Sequence, residues 1–288
     1  MSTDPGPRKP DKIAVAVRVI IYAFLAFVGW VVFPALMLWT PGMKLVAAAL
    51  GVFVAAAVAN AVVLRIYEHG QLADIGLGWT NASRRNLLLG VAGGGAAAVL
   101  VVIAPVALRI ADFTTTSGFG WPSVLFVSLV LLFGAAGEEI LFRGYAFQVL
   151  VGVLGPFATI LPFGVLFAVA HLLNPNQTLL SPVNTALWGV LLGYAFLRSG
   201  DLWLPIGLHF GWNWLIALLG APLSGFTMSV TGLTVHWRVG ELWSGGAYGP
   251  EGGLFTTLAL IGVAIYLNRA PIEQQTAVVT LRSAGSAP

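Results

Sequence analysis

Three short stretches of this 288-residue chain carry side chains able to do proton and carbonyl chemistry inside otherwise apolar sequence. Glu138, Glu139 and Arg143 stand in GAAGEEILFRGYAF, His171 closes the run that begins at Phe167, and His209 and Asn213 stand in HFGWN. An ionisable group within an apolar run costs several kcal/mol, so each asks for a partner or a function. On a helix, residues four apart share a face while neighbours are turned by about 100°. Glu139 and Arg143 are therefore expected to pair, and the plainest role for that pair is to lock helices together. Glu138 points elsewhere with no cation of its own nearby in sequence, and an unpaired buried carboxylate is a candidate general base. The same spacing puts His209 and Asn213 on one face. Taken singly, either histidine reads equally well as a hydrogen-bonded packing residue. Together the set offers a base, two imidazoles for metal or proton work, and an amide donor for an oxyanion.

The elements that must position these groups are membrane helices. Hydrophobic residues make up 58% of the chain, charged residues 9%, and the mean hydropathy is +0.90. A soluble domain carries about 25% charged residues. A net charge of +3 and a pI near 9.4 give no sign of a nucleic-acid partner once the solvent is lipid. Without cysteine there is no disulfide, thiolate ligand or cysteine nucleophile. Long unbroken apolar runs, rather than segments of alternating polarity, select helices over a barrel.

Runs of about 20 apolar residues cross the hydrocarbon. About eight transmembrane helices are expected, at 19–39, 45–64, 87–108, 122–149, 157–171, 183–197, 204–219 and 254–267. The organisation reads as a disordered N-terminus (1–12), N-terminal helices one to three (13–121), a core bearing the motifs (122–219), a Gly- and Trp-rich loop (220–253), a last helix (254–269) and a mobile tail (270–288). The segment 67–85 reads as an interfacial connection, and Trp39, Trp79, Trp121 and Trp203 as interfacial anchors. Gly90, Gly93, Gly94 and Gly95 in the third helix suit close helix approach.

Orientation follows from the basic residues. With the N-terminus inside, the inner segments hold Arg8, Lys9, Lys12, Arg18, Arg65, Arg84, Arg85, Arg198, Arg269 and Arg282. The outer ones hold Lys44, Arg109 and Arg238. Both termini are thus expected in the cytoplasm, with the chain in a plasma or inner membrane. Measured from the inner helix ends at 1.5 Å per residue, Glu138 lies about 18 Å deep, His171 about 21 Å and His209 only about 8 Å. His69, His236 and Asn184 lie outside the motifs. Asp201 is placed to cap the seventh helix, and Asn184 to line a cavity.

Glu138-Glu139-x-x-x-Arg143, Phe167-x-x-x-His171 and His209-x-x-x-Asn213 have the order and spacing of the CPBP intramembrane protease family. That family includes the type II CAAX prenyl endopeptidases and the Abi and bacteriocin-immunity membrane proteins. The chain resembles it over roughly 122–219; the remaining helices match only as generic spans. The resemblance implies an all-α polytopic bundle with a CAAX type II protease-like core, hydrolysing a peptide bond of membrane-embedded or lipidated substrates. It implies Glu138 as the base activating water, His171 as holding that water, and His209 and Asn213 as the oxyanion donors. Glu139 and Arg143 would brace the site, and Phe167 would pack below His171. Glu138, His171 and His209 could supply a zinc site with an open position, or act without metal; no HExxH zincin motif is present. Two rivals stand beside the protease: an immunity or scaffold protein of the same family, and a proton-coupled transporter. The transporter is disfavoured by the lack of an internal repeat.

Overall fold

The computed structural model describes residues 12–37, 44–115, 120–228 and 230–283. The N-terminal residues 1–11, the expected anchor Trp39 and residues 284–288 lie outside the described residues. Among the described residues, the regular structure is helical apart from one small sheet. Helices α1 (Lys12–Met37) and α2 (Lys44–Val63) pair, and α2 runs on through a π-helical turn at Leu64–Glu68. Helix α3 (Asn81–Ala107) begins six residues before the expected start at 87. Thr80 explains the difference, because its hydroxyl accepts from Ser83 N at 3.1 Å while Ser83 Oγ accepts from Thr80 N at 3.1 Å. That reciprocal cap draws a polar turn into the helix.

Strand β1 (Ala111–Thr115) pairs antiparallel with β2 (Leu233–Trp237), with Phe113 opposite Val235. This two-stranded ribbon is a small addition to the expected all-α fold. It ties the α3–α4 connection to the long loop after 220, and His236 stands on it, its Nε2 2.8 Å from Thr114 Oγ1. The motif region holds α4 (Trp121–Arg143), α5 (Tyr145–Leu154), α6 (Pro156–His171), α7 (Ser181–Ser199) and α8 (Trp203–Leu218). A short α9 (Glu241–Ser244), α10 (Leu254–Arg269) and α11 (Val278–Ser283) complete the order.

The fourth expected helix, 122–149, is not continuous. It breaks at Gly144, whose backbone leaves the helical region (φ −72°, ψ −141°). Asn60 of α2 fills the break: its Oδ1 accepts from Tyr145 N at 2.8 Å and its Nδ2 donates to Ile140 O at 3.1 Å. A side chain at 144 would run into Ile140 O and Asn60 Oδ1, so glycine is required. Glu138 therefore stands six residues, about 9 Å along the axis, before a break rather than within a straight rod.

Each motif-bearing helix is backed by glycine-mediated backbone contact. A Cβ at Gly137 of α4 would lie 2.6 Å from Phe53 N of α2. One at Gly189 of α7 would lie 2.8 Å from Gly164 Cα of α6. Helices α3 and α8 meet through Gly90 and Gly94 on one side and Gly207 and Gly211 on the other, and a Cβ at any of the four would strike backbone of the facing helix. Small residues permit such approach where lipid supplies no hydrophobic drive between helices.

Apolar side chains face outward along single helix faces, such as Ile20, Phe24 and Phe27 on α1 and Ile261 and Ile265 on α10. Among the described residues, four helical stretches are long and apolar enough to cross a membrane: Lys12–Leu36, Leu45–Glu68, Asn81–Ala107 and Trp121–Leu154. Two shorter apolar helices, Pro156–His171 and Leu254–Arg269, accompany them. The chain is built as a multi-pass membrane protein. Of the stretch after Pro271, expected to be mobile, the described residues 272–283 pack against the bundle. Gln275 N donates to Ser199 O at 2.6 Å, Glu273 N donates to Asn86 Oδ1 at 3.0 Å, and Val279 is fully buried. A buried valine and satisfied backbone outweigh the polar composition from which mobility was expected.

Candidate active site

Glu138 lies on the last two turns of α4, His171 is the last residue of α6, and His209 lies in the second turn of α8. Their side chains meet. Glu138 Oε2 is 3.6 Å from His171 Nε2 and 3.9 Å from His209 Nε2, and this oxygen is buried without a hydrogen-bond donor. The Glu138 side chain keeps 27% of its surface exposed, against 18% for His171 and 10% for His209. The cluster thus has an open side at the carboxylate.

Both imidazoles are oriented through their other nitrogen. His171 Nδ1 donates to Phe167 O at 2.7 Å, one helical turn back. His209 Nδ1 lies 2.8 Å from Glu139 Oε1. With Nδ1 committed in each ring, Nε2 is the nitrogen turned towards Glu138. Glu139 also meets Arg143, whose Nη1 lies 3.1 Å from Glu139 Oε2, and neither side chain is exposed. The guanidinium donates through Nη2 to Gly189 O of α7 at 2.8 Å and lies over the Phe167 ring, with Cζ 4.8 Å from its centroid. Arg143 therefore joins α4, α6 and α7, and through Glu139 it reaches α8. Phe167 packs between these parts, its centroid 4.7 Å from the tilted His171 ring and 5.9 Å from the His209 ring, which it meets edge to face.

Asn213 lies one turn after His209 and is half-buried. Among the described residues its side chain makes no hydrogen bond, and no polar contact joins it to Glu138 or His171. The structure thus gathers Glu138, Glu139, Arg143, Phe167, His171 and His209, and leaves Asn213 beside them. Asn184 does not line the cluster. It is buried, donating to Glu251 O at 2.8 Å and Gly253 O at 3.0 Å, and so pins α7 to the start of α10.

Two groups near the site were not singled out from sequence. Asn60 is the one polar side chain in α2 after its first residue, a signal available in the sequence. Glu251, in the loop expected to lie outside the bundle, is buried against α8, accepting from Trp212 Nε1 at 2.9 Å and Ser224 Oγ at 2.7 Å. Nothing in the composition of that loop marks this contact.

The donor types around Glu138 Oε2, a partnerless buried carboxylate oxygen facing two imidazole nitrogens, fit a divalent metal in kind, and each imidazole has the outer partner that metal-binding histidines require. Among the described residues, no three His, Asp or Glu side chains form a ready cage for an ion.

Helices α4 to α8 with this acid–imidazole cluster define an intramembrane, glutamate-bearing helical core. The family described as Type II CAAX prenyl endopeptidase Rce1-like matches residues 120–215, which include all three motifs. Over that stretch, about a third of its length, the chain is similar to the Rce1-like domain of this family. No curated protein and no solved structure matches the chain.

Proposed function

We propose that the protein is an intramembrane endopeptidase that hydrolyses a peptide bond of membrane-associated substrates with water activated by Glu138. The observation that carries this reading is the buried, partnerless Glu138 Oε2 facing the Nε2 atoms of His171 and His209. A water in that space would give its proton to Glu138 while His171 holds it, and its oxygen would form the new bond to the substrate carbonyl carbon. The oxyanion would take donors from His209, protonated on Nε2, and from the free Asn213 amide. With Glu138 holding the water's proton, the Glu139 carboxylate and the oxyanion are balanced by Arg143 and the His209 imidazolium, so the buried cluster carries no net charge. Collapse of the intermediate breaks the C–N bond, and Glu138 returns the proton to the leaving amine.

If a zinc ion is bound, Glu138, His171 and His209 would hold it, and it would supply Lewis-acid activation of water. About eight helices would cross the bilayer, with both termini in the cytoplasm as the basic residues suggest. Prenylated CAAX-type peptides are the first substrates to try, because the matching family is described by them. In membranes, wild-type protein should cleave a prenylated or unprenylated membrane peptide. Glu138→Gln and Glu138→Ala should lose about 10²–10⁴-fold in rate. Undiminished cleavage in both variants contradicts the mechanism. Loss of cleavage with a chelator, regained on adding zinc alone, selects the metal route; unchanged cleavage selects the glutamate route.

A further inference from the structure

We infer that Asn60, together with Tyr22, is a positioning residue for the acid–imidazole cluster: it fixes the broken end of α4, the turn that presents Glu139 and Arg143 to His209. Its activity readout rests on the endopeptidase reading above; its structural readout does not. In a continuous helix the Tyr145 N–H would bond Leu141 O. Here that N–H goes to Asn60 Oδ1 at 2.8 Å, and Leu141 O takes the Tyr22 hydroxyl at 2.7 Å. Asn60 Nδ2 and Tyr22 Oη are themselves 3.1 Å apart. Two side chains from α1 and α2 thus stand in for one helical hydrogen bond.

Asn60 Nδ2 also reaches Ile140 O, and Gln148 Nε2 donates to Arg143 O at 2.9 Å, so with Leu141 O three of the last four carbonyls of α4 are met by side chains. A buried backbone polar group cannot go unpaired in lipid. Asn60 is completely buried in a helix whose other interior residues are apolar or small, a costly placement without a task. The turn it terminates ends on Arg143, whose guanidinium then reaches Glu139 and Gly189, and Glu139 in turn holds His209 Nδ1. Both Tyr22 and Asn60 lie outside residues 120–215. The inference gives α1 and α2 a part in the site that their apolar composition does not announce.

The test compares wild type, Asn60→Leu, Asn60→Asp and Tyr22→Phe as full-length protein. Two readouts are taken: kcat and KM for a membrane peptide, and the nitrogen NMR spectrum of ¹⁵N-histidine-labelled protein. Asn60→Leu should lower kcat by about 10–100-fold with KM changed by less than about twofold, and should move the His209 Nδ1 signal in the direction that Glu139→Gln moves it. Asn60→Asp keeps an acceptor for Tyr145 N and should recover part of kcat. Tyr22→Phe removes only the bond to Leu141 O and should show a smaller change of the same kind, serving if Asn60→Leu does not fold. An unmoved His209 signal in folded Asn60→Leu or Tyr22→Phe overturns the inference whether or not the protein cleaves anything. A moved signal without Glu138-dependent cleavage in wild type leaves the positioning intact and sinks the endopeptidase reading alone.

Discussion

The Glu139 carboxylate is fully buried and meets both the Arg143 guanidinium and the His209 imidazole, whereas Glu138 Oε2 next to it is buried without a hydrogen-bond donor and faces only the two imidazoles. Removing one partner of a buried ion pair costs about 3–5 kcal/mol, because the other charge is left uncompensated. Arg143→Ala should therefore lower the thermal unfolding midpoint sharply. Arg143→Lys should rescue it poorly, since an ammonium cannot both pair with Glu139 and donate to Gly189 O while stacking on Phe167. Unfolding in detergent, followed by tryptophan fluorescence, checks both; a lysine variant as stable as wild type contradicts the bridging role. The four-residue spacing made the Glu139–Arg143 pair legible in the sequence. The partners of the histidine Nδ1 atoms were not, because they depend on which helices lie side by side. Asn60 was legible as a lone polar residue in an apolar run, but its task was not, since that task exists only where α4 breaks.

At the scale of elements, the close crossing of α3 and α8 holds the His209 helix. Gly94 and Gly211 face backbone atoms that cannot yield, so a larger residue forces the helices apart, at a cost of about 1–3 kcal/mol or more. Gly94→Val and Gly211→Val should lower the unfolding midpoint, while Gly262→Ala in α10, where a Cβ meets nothing within 4 Å, should raise it slightly. Equal effects at the three positions would contradict the packing account. Asp201 governs the start of α8, its Oδ1 accepting from Trp203 N and Leu204 N at 3.1 Å each. Its predicted capping role is met in the structure, though its Oδ2 also takes Asn86 and Gln275. Burial pushes the Asp201 carboxyl above its ordinary range, against the pull of those donors. A raised folded value means that its contribution to stability is complete below the ordinary carboxylate range and is lost as pH rises through the raised value. Asp201→Asn, which takes no charge, should flatten that slope in unfolding midpoints measured across pH; an unchanged slope contradicts it. The start of α3 behind its Thr80 cap and the break at Gly144 escaped the hydropathy pattern because both are set by hydrogen bonds, one local and one from α2.

Across the whole molecule, the apolar composition made the membrane class and the helical fold plain, and the ordered motifs pointed to the core now matched over residues 120–215. What composition could not show is how the polar segments fold back. The tail is held by Asn86 and Ser199, and the Gly- and Trp-rich loop plants Glu251 beside Trp212, three residues from His209. Both are tertiary contacts made by residues that, read alone, look like solvent-exposed connections. They close the two ends of a bundle whose middle gathers a carboxylate and two imidazoles from three helices. The most direct measurement compares new N-termini in membranes carrying wild-type protein with those carrying Glu138→Gln at equal abundance. The predicted result is a set of cleavage products present with wild type and absent with the variant. An identical set of termini in the two membranes, with wild-type protein folded and abundant, would contradict hydrolysis by this cluster.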